Sequence, residues 1–181
     1  MRAVVVYESM FGNTRRVAEG IVHALADSME TRLLRADLVV ADDLRGIDLL
    51  VVGAPTHAWS MPRPNTRKGA LNNVRRPGSD LSLEPHADSL PGVREWLDTL
   101  EEVHALAAVF DTRFSAPVVF TGRAAKGISS ALQQRGLVMV SASESFRVDR
   151  QNHLLPGEVE RASTWGRRLG EEVVARLKVT P

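Results

Sequence analysis

The chain of 181 residues contains no cysteine. That excludes disulfides, thiolate nucleophiles, cysteine-held iron–sulfur clusters and cysteine-based zinc sites together. Aromatic residues are scarce at 5%, with a single tyrosine. No apolar run approaches the roughly 18 residues that a membrane helix needs. The run 3–7 is too short for the apolar region of a signal peptide. An excess of one charge sign is also missing, since 23 Lys and Arg face 22 Asp and Glu for a net charge of +1. Such a balance points neither to nucleic acid nor to a strongly acidic electron carrier. Histidines 23, 86, 104 and 153 are scattered without ligand spacing, so no metal site is expected.

What is present is ordinary for a globular protein: 44% apolar and 25% charged residues. The length suits about one domain. The expectation is one soluble, cytoplasmic domain over residues 1–181, with no membrane and no nucleic-acid partner.

Short continuous apolar runs at 3–7, 48–53 and 103–110 read as strands buried on both faces, the habit of a parallel sheet. Weaker strands are expected at 31–36 and 137–142. Between them lie helical patterns. Val17, Ala18, Ile21, Ala24 and Leu25 share one face of a first helix, with Asn13 or Thr14 as its expected cap. Further helices are expected at 92–100, 124–135 and 158–178, the last with Ala162, Trp165, Leu169, Val173 and Leu177 inward. Strands alternating with helices imply a parallel α/β sheet covered on both faces. Residues 60–91, with Pro62, Pro64, Gly69, Pro77 and Gly78, read as a long loop insertion.

Three loops follow three buried strands and emerge on one edge of such a sheet, where open α/β folds bind ligands. The first is Ser9-Met10-Phe11-Gly12-Asn13-Thr14 at a helix start. Unpaired N–H groups, the helix dipole and small polar side chains there suit a phosphate without any Lys or Arg. The second, Pro55-Thr56-His57-Ala58-Trp59, offers a hydroxyl and a large flat ring face. A lone tryptophan such as Trp59 more commonly reads as ordinary packing, and His57 as bonding a neighbour or a phosphate. The third is Asp111-Thr112-Arg113-Phe114. P-loop, dinucleotide and nucleophile-elbow motifs are all missing.

Val4-Val5-Val6-Tyr7-Glu8-Ser9 followed by Gly12-Asn13-Thr14 resembles the opening strand and FMN phosphate loop of flavodoxins. The stretch from Asp48 through Thr56 resembles their third strand and ring-side loop. Ala107-Ala108-Val109-Phe110-Asp111-Thr112 resembles their fourth strand and second flavin loop. The resemblance implies a three-layer, doubly wound, five-stranded parallel sheet of order 2-1-3-4-5. It also implies FMN as cofactor: Ser9, Met10, Phe11, Gly12, Asn13 and Thr14 on the phosphate, Pro55, Thr56, His57, Ala58 and Trp59 bordering the ring, and Asp111, Thr112 and Arg113 on its pyrimidine edge.

Two departures stand out. The ring-side loop Ala58-Trp59-Ser60-Met61 has no glycine, so a flip of its peptide to positive φ would be costly. Arg113 reads either as an exposed surface charge or as a cation near the pyrimidine, which would raise the flavin potential. Residues 60–80 carry Arg63, Lys68, Arg67, Arg75 and Arg76 against Asp80 alone. This segment reads as a solvated basic loop, a lid, or a receiver for an acidic partner or NADPH.

The resulting expectation is an FMN-binding redox protein that carries electrons between a reductase or NAD(P)H and an acceptor. An NAD(P)H:quinone-type oxidoreductase falls within that class. The alternative is a flavin-free module of the same fold that binds a partner.

Overall fold

The computed structural model describes residues 1–179. In chain order it contains β1 (Arg2–Tyr7), α1 (Asn13–Leu25), β2 (Glu30–Arg35), β3 (Leu49–Pro55), α2 (Pro64–Val74) and α3 (Val93–Thr99). These are followed by β4 (Leu106–Phe114), α4 (Val118–Thr121), α5 (Ala124–Gln134), β5 (Val138–Met139), β6 (Glu144–Val148) and α6 (Glu158–Val179). All pairings in the sheet are parallel, and the order is β2-β1-β3-β4-β5. This is the expected order.

Strand alternation sends successive side chains to opposite faces. Val4, Val6, Leu50, Val52, Ala107 and Val109 pack against α3 and α5. Ala3, Val5, Leu49, Val51, Ala108 and Phe110 face α1 and α6. Phe110, Phe146 and Trp165 meet edge to face on that second side, with centroids 6.0–6.3 Å apart. Both faces of the central strands are therefore dry, which is why those strands read as unbroken apolar runs.

Four elements differ from expectation. The loop expected at 60–91 contains α2, whose buried residues are Arg67 and Ala70. The last strand is split. β5 pairs with Leu106 and Ala107, and after a break β6 pairs with Phe110–Phe114 of the same neighbour. β4 therefore runs past residue 110, and Asp111, Thr112 and Arg113 belong to the strand rather than to a loop after it. Leu177, expected inward on α6, is exposed.

Candidate functional site

At the carboxyl ends of β1, β3 and β4 lies a cavity of about 350 Å³. Ser9, Met10, Phe11, Asn13 and Thr14 form one wall. Pro55, Thr56, His57 and Ala58 form another, and Thr112 and Arg113 a third. The three stretches singled out in the sequence thus converge. Gly12, Trp59 and Asp111 do not line the cavity. Phe114, from the third stretch, also lines it; Thr66, Gly69, Ala70 and Asn73 of α2, with Val148 and Asn152, complete the lining and were not foreseen.

Gly12 is the N-cap of α1 at φ 83, and neither Asn13 nor Thr14 caps the helix. The left-handed turn is open to glycine at little cost. It leaves the N–H groups of Asn13, Thr14 and Arg15 without an acceptor among the described residues. The Asn13 amide instead donates to the Asn152 carbonyl. The hydroxyls of Thr14 and Thr112 lie 2.8 Å apart, joining the first wall to the third. Ser9 is 4% exposed, and its hydroxyl has no partner. A buried orphan of that kind costs free energy until something bonds it. Arg15 does not serve the turn. It pairs with Glu84 at 2.8 Å, and the Glu84 N–H holds the Met10 carbonyl from outside.

The second wall is a tight turn. His57 and Ser60 exchange backbone hydrogen bonds at 2.8 and 3.0 Å across Ala58 and Trp59. Those two residues sit at φ 45 and φ 67. Positive φ at both central positions is type I′ geometry, normally given to Asn and Gly. The residues that would have had to flip at a cost are therefore already held in the left-handed region. The end of α4 sits against this turn: Trp59 bridges Gly122, where a Cβ would lie 2.3 Å from the Trp59 Cα. Trp59 is 64% exposed, and Val119 and Phe120 of α4 are exposed as well. The Trp59 ring neither packs in the core nor covers the cavity. The Thr56 hydroxyl accepts the Ala124 N–H at 2.9 Å and so caps α5.

On β4, Asp111 and Arg113 point to the α5 side. Asp111 accepts the Ala125 N–H through Oδ2 at 3.0 Å, while Oδ1 has no partner. Burial pushes its pKa up. Arg113 is 4% exposed, which overturns the surface-charge reading. Its Nη1 donates to the Ala116 carbonyl and the Thr121 hydroxyl, both at 2.8 Å, fastening α4. Burial, then Arg147, lowers its pKa, yet a guanidinium stays charged at neutral pH.

Beneath the second wall runs a buried ion-pair chain. Arg67 of α2 donates to Glu8 at 3.3 Å and pairs with Glu95 at 2.9 Å. The second Glu8 oxygen accepts the Val93 N–H at 2.9 Å. Arg67 thus departs from the solvated basic loop that its sequence suggested. Burial raises the Glu8 pKa despite the arginine. Burial, followed by the Arg67 cation, lowers the pKa of His57 to about 4, so His57 is a neutral wall of the cavity. Among the described residues no group of three or more His, Asp or Glu is placed to hold a metal ion, and no helix is long and apolar enough to cross a membrane.

The strand order and the flanking helices give a flavodoxin-like α/β fold, and solved structures agree. An archaeal flavodoxin superposes with a TM-score of 0.64 at 16% identity, over 96% of this chain and 99% of that one. Oxidised flavodoxin 1 from Bacillus cereus gives 0.61 at 22% identity, over 97% and 98%. The flavodoxin of Streptococcus pneumonia TIGR4 gives 0.62 at 19%, over 97% and 99%. No protein-family model and no curated protein matches the sequence.

Proposed function

We propose that the cavity binds FMN and that the protein transfers electrons through it. The observation that carries this reading is the convergence of the three stretches on one cavity, with an unpartnered buried hydroxyl and free N–H groups at the start of α1. The cavity volume lies within the usual range of about 300–1,000 Å³ for small-molecule sites. The residues fit the cofactor: Ser9 and the N–H groups of Asn13, Thr14 and Arg15 meet the phosphate, and the dipole of α1 favours its charge. The flavin supplies the electron chemistry.

The chain's own residues do the rest. Thr56 and Thr112 fix the separation of the two ring-side walls through the bonds to Ala124 and Thr14. Neutral His57 adds no charge to the cavity. Arg113, held rigidly by α4, places a cation at the pyrimidine end. The electron donor is NAD(P)H or a reductase, and the acceptor is a quinone-type molecule or a partner protein that meets the exposed Trp59, Val119 and Phe120.

The purified full chain, mixed with FMN and passed through a desalting column, tests the reading. Retained absorbance near about 450 nm, the band of oxidised flavin, is expected, with bleaching by NADPH in stopped flow if the protein is a reductase. Colourless protein favours a flavin-free partner-binding module, a reading that draws on Asn13 and Thr14 already being engaged internally. Retained colour without bleaching favours a carrier served by a separate reductase.

A further inference from the structure

We infer that a second cavity beside the first is an anion subsite for the phosphate-bearing adenosine end of a dinucleotide. The inference rests on the flavin reading of the main cavity. The second cavity, about 210 Å³, is formed by residues 76–81 and 150–152 and shares Asn73 and Asn152 with the first. Asn152 belongs to the phosphate end, because its carbonyl takes the Asn13 amide hydrogen bond. The two cavities therefore adjoin next to the phosphate seat.

Arg76 and Arg150 line this second cavity. Both are exposed, and neither side chain has an ion pair or hydrogen bond among the described residues. Many other arginines are committed: Arg15 to Glu84, Arg32 to Asp43, Arg35 to Asp37, Arg161 to Glu144 and Glu158. One carboxylate, Asp80, also lines this cavity, and both nearby acids have partners. Asp80 lies 3.2 Å from His153 Nε2, a contact that joins the two loops. Asp149 Oδ1 accepts the N–H groups of Gln151 and His153 at 2.8 and 2.9 Å. Each loop also holds itself. Ser79 N–H donates to the Arg76 carbonyl at 3.0 Å, and Asn152 N–H to the Asp149 carbonyl at 3.2 Å. Two free guanidinium forks on fixed backbone, with Asn73 and Gln151 as neutral donors, match the oxygens of a phosphate. An acidic protein surface is a poorer fit, because the arginines border a concavity.

Two molecules carry this chemistry and reach both cavities. One is FAD, with its flavin phosphate at Ser9–Thr14 and its adenylate past Asn152. The other is NADPH, with its nicotinamide against the flavin. Calorimetry on the FMN-loaded full chain, with 2′,5′-ADP as probe and Arg76→Gln/Arg150→Gln as the variant, tests the subsite. The probe binds the wild type and loses about tenfold or more in affinity in the variant, while FMN affinity stays the same. No binding, or equal binding to both proteins, overturns the inference.

The source is then read from two further comparisons. Tighter binding of FAD than FMN by about tenfold, lost in the variant, supports the cofactor source. A KM for NADPH about tenfold below that for NADH, with the gap closing in the variant, supports the donor source. In a protein that binds flavin, the absence of both gaps overturns the proposal. Failure of the flavin reading shows differently: FMN does not bind, and probe binding that still depends on Arg76 and Arg150 leaves the subsite standing.

Discussion

At the scale of single residues, the sequence is legible where chemistry and position coincide. Ser9 through Thr14 announced an anion seat because small polar residues stood between a buried strand and a helix. The route by which they act was hidden. Thr14 is spent on Thr112, and Asn13 on Asn152, partners 98 and 139 residues away in the chain. Ser9→Ala removes the unpartnered hydroxyl at that seat and is expected to weaken FMN about tenfold or more beyond any loss for riboflavin. Fluorescence titration with both ligands checks this, and equal losses contradict a phosphate role. Arg113 is a buried cation, so Arg113→Ala is expected to lower the flavin midpoint potential on the order of 30 mV. Potentiometric titration of the loaded protein reads it, and an unmoved potential removes Arg113 from the tuning. His57 makes a pH prediction. Its folded pKa of about 4 lies below the ordinary value near 6.5. Between the two, the unfolded chain holds a proton that the folded chain refuses. The stability contribution is therefore complete above about pH 6.5 and is lost as pH falls towards about 4. Relative to His57→Gln, the wild type should lose about 2 kcal/mol between about pH 7 and pH 4.5 in urea denaturation. Parallel pH profiles for the two proteins would show that His57 titrates normally.

Among elements, the central strands were readable because they are dry on both faces, and α1 and α6 because each carries an apolar stripe. The helix α2 was not readable, for a physical reason. Its buried residues are Arg67 and Ala70, so it has almost no apolar stripe to register. An ion pair holds it to β1 and α3, and ion pairs have no periodicity. β6 was missed because only Phe146 and Val148 of its five residues are buried; their i, i+2 spacing was the one available signal. The ring-side turn shows the same limit, since nothing local in Ala58-Trp59 asks for positive φ, and a distant glycine, Gly122, makes room for it. Arg67→Met strands the buried Glu8 carboxylate and is expected to cost about 3–5 kcal/mol. Glu8→Gln with Arg67→Met should cost less than the single change, because no unpaired charge remains. Urea denaturation of the two variants decides the matter, and a double variant that is the less stable of the pair contradicts the account of how α2 is held.

For the whole molecule, the near-neutral net charge leaves two unpaired cations beside the candidate cavity. Arg15, Arg32, Arg35 and Arg161 are ion-paired, while Arg76 and Arg150, beside the flavin cavity, are not. The fold carries the ligand-binding edge of an open α/β sheet, and α2 walls one side of the cavity there. The central claim is that the start of α1 seats a phosphate monoester, and isothermal titration of the full chain with FMN and then riboflavin tests it most directly. The account predicts that FMN binds at least about a hundredfold more tightly, several charge-assisted hydrogen bonds being at stake. Equal affinities, or no heat with FMN, would contradict it.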